Sequence, residues 1–135
     1  MALFGRGVTP EQKAYLEAML ILAMADGDLE DSEISDMIVN CIQHPALSGL
    51  SDKAILNSLN DSYRKMQRQG NDKRISEMAH VLTTTQQRMD ALGVALSVSM
   101  ADGTIEPQEL VLLKQMQRAF GLTDAQVQQA MDKYR

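Results

Sequence analysis

Apolar residues recur along most of the chain at intervals of three and four, with polar residues between them. That is the spacing of amphipathic helices. The first predicted helix opens at Thr9-Pro10-Glu11-Gln12. Thr9 is a capping residue, proline suits the first helical position, and Gln12 stands where a side chain reaches back to close a capping box. This helix should run to about Ala25. A second starts near Asp31 and fails at His44-Pro45, because proline disfavours helix at the residue before it. Ser51 caps a third, which continues to Gln69 and stops at Gly70. Asn71 caps a fourth, whose apolar face is Ile75, Met78, Ala79 and Leu82. Thr85 opens a fifth helix, Pro107 opens a sixth that Gly121 ends, and Thr123 with Gln126 boxes a seventh. No segment alternates as a strand does, and no β-branched run is present. The pattern predicts an all-α, single-domain helical bundle of about seven helices.

The first and fifth helices are apolar almost all round near their C-terminal ends, in "AMLILAMA" and "VALSVSMA". Helices of that kind sit in the middle of a bundle. The chain also matches itself. Thr9 falls on Thr85, Leu20 on Leu96, Met24 on Met100, Asp26 on Asp102, Gly27 on Gly103, Leu29 on Ile105 and Glu33 on Glu109. Further on, "LSDKAILNSL" from Leu50 matches "LTDAQVQQAM" from Leu122, once an insertion around "QHPALSG" is allowed for. The expectation is one domain over residues 1–135, with pseudo-two-fold duplication of a three-helix unit. The units span about 9–63 and 85–135, and 64–84 bridges them.

With 135 residues, the chain fits one domain with one core. Aromatics are only 4% and Trp is absent, so the core falls to Leu, Ile, Val, Ala and the 10 Met residues. Methionine fills gaps between helices and also lines adaptable grooves. Cys41 is the only cysteine, which rules out an intrachain disulfide and suits a reducing cytoplasm. The opening "MALFGRGVTP" lacks the apolar core of a signal peptide. The longest apolar run, Ala18 to Ala25, is too short to span a bilayer. Ala2 stands where the myristoylation signal requires glycine.

The net charge of -5 is unevenly spread. No Lys or Arg lies between Lys13 and Lys53, whereas Glu17, Asp26, Asp28, Glu30, Asp31, Glu33, Asp36 and Asp52 all do. Such a region disfavours nucleic acid and attracts cations or a basic partner. The bases gather at Arg64, Lys65, Arg68, Lys73 and Arg74, which read as a solvated helix face.

The repeated motif carries the candidate chemistry. "MADGDLEDSE" from Met24 and "MADGTIEPQE" from Met100 resemble the back half of an EF-hand loop. Placing Asp26 at loop position 5 and Glu33 at 12 puts Leu22 and Met24 at positions 1 and 3, and Val98 and Met100 in the second copy. None of these binds a hard cation, so a standard EF-hand is excluded. Two readings remain. In one, Gly27 and Gly103 supply positive φ, Leu29 and Ile105 tuck the turn inward, and the acids cap helices two and six. Asp26 and Asp102 then accept bonds from turn N–H groups. In the other, Asp26, Asp28, Glu30 and Glu33, with Asp102, Glu106 and Glu109, offer hard oxygen ligands for Ca²⁺, Mg²⁺ or Mn²⁺. The first copy is the richer in carboxylates.

A duplicated unit of helix, Asp-Gly-x-hydrophobic-x-x-x-Glu and helix resembles the TerB-like family of tellurite-resistance proteins, and the N-terminal region of DjlA-type membrane co-chaperones. The likeness covers about Thr9 to Tyr134. It rests on Asp26, Gly27, Leu29 and Glu33, with Asp102, Gly103, Ile105 and Glu109. It implies a helical bundle, a cytoplasmic or membrane-peripheral setting, a link to metal or oxyanion stress, and no enzyme activity.

Other chemistry is thin. Cys41 and His44 have the spacing of half a zinc site, but His80 is the only other histidine and no second cysteine exists. No glycine-rich phosphate loop is present. Three functions are open on the sequence. One is a non-enzymatic module that works through a protein partner and weak divalent-cation binding. Another is a structural adaptor whose carboxylates only cap helices. The remote third is a thiol enzyme using Cys41.

Overall fold

The computed structural model describes residues 7–27, 29–99 and 104–133, apart from the side chains of Ile42 and Val98. Seven α-helices follow in order: α1 Pro10–Ala23, α2 Asp31–Gln43, α3 Asp52–Gln69, α4 Asn71–Val81, α5 Thr85–Ser99, α6 Pro107–Phe120 and α7 Asp124–Lys133. A 3₁₀ turn, Pro45–Leu47, joins α2 to the segment before α3. No strand occurs among the described residues.

Local capping explains most boundaries. Thr9 Oγ1 accepts from the Gln12 N–H at 3.1 Å while Gln12 Oε1 accepts from the Thr9 N–H at 3.1 Å. Ser51 Oγ accepts from the Ala54 N–H at 3.1 Å, and Thr123 and Gln126 exchange the same pair of bonds before α7. Gly121 takes the left-handed conformation, φ 67°, that ends α6. Two boundaries differ from expectation. α1 ends at Ala23, short of Ala25, because the Met24 N–H already closes its last turn on Leu20. Gly70, at φ 82°, is both the last cap of α3 and the first of α4, so Asn71 is a helical residue and not a cap. Thr85 opens α5 as expected, and Thr84 caps it, its Oγ1 accepting from the Gln87 N–H at 3.1 Å.

α1 and α5 form the most extensive helix contact in the molecule. Every residue from Ala14 to Leu22 on α1 and from Ala91 to Leu96 on α5 is buried. The all-round apolar character of both segments therefore reports a central pair. α3, α4 and α6 pack on α1, and α7 packs on α5. α2 touches α3, α5 and the 3₁₀ turn, and its Cys41 lies 3.2 Å from Met19 of α1.

Two long-range polar contacts pin the bundle. Glu17, the one buried carboxylate among the described residues, sits in the apolar run of α1. Its two oxygens accept from Arg74 Nε and an Arg74 terminal nitrogen, each at 2.8 Å. Arg74 therefore leaves the solvated basic face that the sequence suggested. Arg88 donates to the carbonyls of Leu82 at 2.7 Å, Ala79 at 2.8 Å and Phe120 at 2.9 Å. One guanidinium thus satisfies carbonyls at the C-terminal ends of both α4 and α6.

Candidate functional site

The acidic turn after α1 opens where that helix runs out of intrahelical partners. Gly27 has φ 128°, a value that L side chains rarely adopt, and this redirects the chain toward α2. Leu29 is half-buried against the core and anchors the turn. α2 and α6 then start alike. Glu33 Oε1 accepts from the Glu30 N–H at 3.0 Å, and Glu109 Oε1 accepts from the Glu106 N–H at 2.8 Å. Each carboxylate also lies in a first helical turn, where the dipole favours negative charge.

Tertiary packing adds what the motif alone did not show. Both acidic turns face one cavity of about 380 Å³. Asp26, Glu33 and Asp36 line it from one side, and Glu106 and Glu109 from the other. No Lys or Arg among the described residues lines it. Ala23 and Ser99 bring the C-terminal ends of α1 and α5 to the same place. Two helix N-termini and two C-termini thus meet at the basin, so their partial charges largely offset and leave the carboxylates to set the local potential.

The sequence candidates are partly gathered. Asp26, Glu33, Glu106 and Glu109 line the basin. Glu30 does not; it is exposed and caps α2 through its backbone. Asp28 and Asp102 lie outside the described residues. Asp36 is the addition. It stands one helical turn beyond Glu33 on α2, and that i, i+3 spacing was the signal that could have found it. The expected hydrogen bonds from turn N–H groups to Asp26 are not formed among the described residues. The Gly27 N–H goes to the Met24 carbonyl instead, at 3.1 Å. Among the described residues, capping therefore accounts for one oxygen each of Glu33 and Glu109, and for neither Asp26 nor Asp36.

Ser99 tests whether the basin suits a cation. It is 7% exposed and lines the basin, and its hydroxyl has no hydrogen-bond partner among the described residues. An unsatisfied buried hydroxyl costs about 1–3 kcal/mol. A bound ion or its hydration water would supply the missing partner. Among the described residues no three His, Cys, Asp or Glu side chains stand close enough to hold a bare metal ion. The carboxylates ring the basin instead. That arrangement fits a hard cation that keeps part of its water, as Mg²⁺ does.

Cys41 and His44 have a different character. The Cys41 thiol is buried 3.2 Å from Met19 Sδ, and burial pushes its pKa up to about 12. Thiolate, the nucleophilic form, is therefore scarce at neutral pH. His44 Nδ1 accepts from the Ala46 N–H at 3.1 Å and caps the 3₁₀ turn. Burial lowers its pKa from 6.5, with Asp90 opposing and Lys133 adding to that effect. Neutral imidazole is the form this cap requires.

No helix among the described residues is long and apolar enough to cross a membrane. A family model described as Tellurite resistance protein TerB matches residues 12–132. No curated protein and no solved structure matches the chain.

Proposed function

The chain belongs to the tellurite resistance protein TerB family, and from that premise we propose that it is a non-enzymatic, cytoplasmic module of metal and tellurite stress. It acts through a protein partner and takes a hydrated divalent cation into its acidic basin. The observation that carries this reading is the convergence of both acidic turns on one cavity that also contains the unpartnered Ser99 hydroxyl. Among the described residues Asp26 and Asp36 accept no capping bond, and Glu33 and Glu109 each keep a second oxygen beyond the one used in the cap. Ca²⁺, Mg²⁺ and Mn²⁺ are the candidates, because every donor is a hard oxygen. Affinity should be weak, on the order of 10⁻⁴–10⁻³ M, since the site is open and not pre-shaped around a bare ion. A second reading, in which the acids only cap helices, is favoured by the bonds of Glu33 and Glu109 alone.

Thermal melts with each cation separate the two. Linkage to the folded state at about 10 mM cation gives a stabilisation of about 1.4–2.7 kcal/mol for that range of affinity. The increment should fall sharply in Asp36→Asn and in Asp26→Asn, while the metal-free stability of both variants stays near wild type. If no divalent ion moves the melting curve, the cation reading falls and the capping reading stands.

A further inference from the structure

α2 is a wall with two faces. Glu33, Asp36 and Asn40 look onto the acidic basin. Ile34 and Met37 look onto a second hollow of about 520 Å³, bounded by α1 and α3 through Leu20, Leu56 and Leu59. Leu29 and Met37 line both hollows, so the two are adjacent. The second hollow is mainly apolar, with Asn60 and Tyr63 at its polar edge. The Tyr63 hydroxyl accepts from Gln67 Nε2 at 2.7 Å, so its polar tip is already engaged. Leu56, on the rim, is 39% exposed. Methionine walls re-pack around varied side chains, and Met24 and Met37 line this cleft.

We propose that this cleft and the basin form one docking surface for a basic amphipathic segment of a protein partner, which seats a large apolar side chain in the cleft and a Lys or Arg over the basin. The proposal rests on the reading of the basin as a cation surface, with an ammonium or guanidinium group in the place of the metal. Charge complementarity selects the occupant. Among the described residues the basin lining has five carboxylates and no basic residue, and the exposed face of α2 adds Asp31. Such a wall repels an anionic lipid surface and an acidic helix, and it lowers the energy of a basic one. A second copy of this chain fits poorly. Its net charge is -5, and much of its basic stretch is already matched: Lys65 by Asp61, Lys73 by Glu77 and Arg74 by Glu17. Helix-in-groove binding reads anchors at i, i+3 or i+4, and i+7. An apolar residue with a basic residue one turn away meets both hollows at once.

The test uses a fluorescent synthetic helix of about four turns, with Leu along one face and Lys along its flank. Two controls replace Lys by Glu, or Leu by Ser. The Lys/Leu peptide should bind the full chain, and both controls should bind at least about tenfold more weakly. Leu56→Gln should weaken the peptide at least about tenfold yet leave the divalent-ion melting shift intact. Asp36→Asn should weaken both, and millimolar Mg²⁺ should compete with the peptide. A cation shift without peptide binding overturns this proposal and spares the cation reading; peptide binding without a cation shift does the reverse. Equal binding of the Glu peptide, or peptide binding indifferent to Leu56→Gln, overturns it. So does a concentration-dependent dimer, in sedimentation, that Leu56→Gln abolishes, because the cleft then belongs to a second copy.

Discussion

Replacing Arg74 by Met should unbalance the interior more than any surface change of the same size. The structure sets the magnitude. The Glu17 side chain is 4% exposed and that of Arg74 13%, and the pair is bidentate at 2.8 Å on each arm. Arg74 also reaches Gln69 Oε1 at 3.0 Å, which fixes the fork. A pair this enclosed is outside the regime of surface bridges, which contribute about 0–1 kcal/mol. Removing one member leaves a carboxylate that is 4% exposed without its bidentate partner. The cost should be about 3–5 kcal/mol. For a chain of this length, each kcal/mol moves the midpoint by about 3–5 °C, so Tm should fall by about 10–20 °C. Far-ultraviolet circular dichroism during heating, with urea unfolding for the free energy, measures this. The double change Glu17→Met with Arg74→Met should recover most of the loss, because a buried ion pair replaced by apolar groups of similar volume is often neutral or better. A loss below about 1 kcal/mol in Arg74→Met would refute the reasoning, since the pair would then behave as exposed. A double variant no better than the single one would refute it too, because the penalty would not come from an orphaned charge.

Glu33→Ala should lower stability by about 0.5–2 kcal/mol through its lost cap bond, whereas Asp26→Ala should change urea unfolding by less than about 0.5 kcal/mol, since Asp26 accepts no cap bond among the described residues. The pH dependence of His44 has a defined sign. Its folded pKa lies below the unfolded 6.5, so its contribution is complete above that value and is lost as pH falls through the lowered folded pKa. Stability measured downward from pH 7 should therefore decline with a component that disappears in His44→Asn, which keeps a capping acceptor but does not titrate. Cys41 in the native protein should react with a maleimide far more slowly than in urea, and Cys41→Ala should leave cation and peptide binding unchanged. Fast native labelling would contradict a thiol with a pKa of about 12.

The sequence by itself determined what depends on neighbours within about four residues. Thr9 with Gln12, Ser51, Thr123 with Gln126, Pro107 and the glycines at 70 and 121 marked helix ends because caps are satisfied locally. The all-round apolar runs in α1 and α5 marked the central pair, since a helix with no polar face must be covered on every side. The acidic motif identified the family and most of the basin carboxylates. Local reading missed one boundary: Gly70 serves as cap to both α3 and α4, which makes Asn71 a helical residue. The tertiary structure alone decided the rest. It brought both acidic turns to one cavity, drew in Asp36 and left Glu30 outside, because those outcomes depend on how α2 and α6 lean on the central pair. It buried Glu17 against Arg74 across 57 positions of chain, and it opened the cleft between α2 and α3. No periodicity encodes such meetings: they arise from side chains far apart in sequence that the bundle presses together, and their energies depend on burial that exists only once the helices have packed.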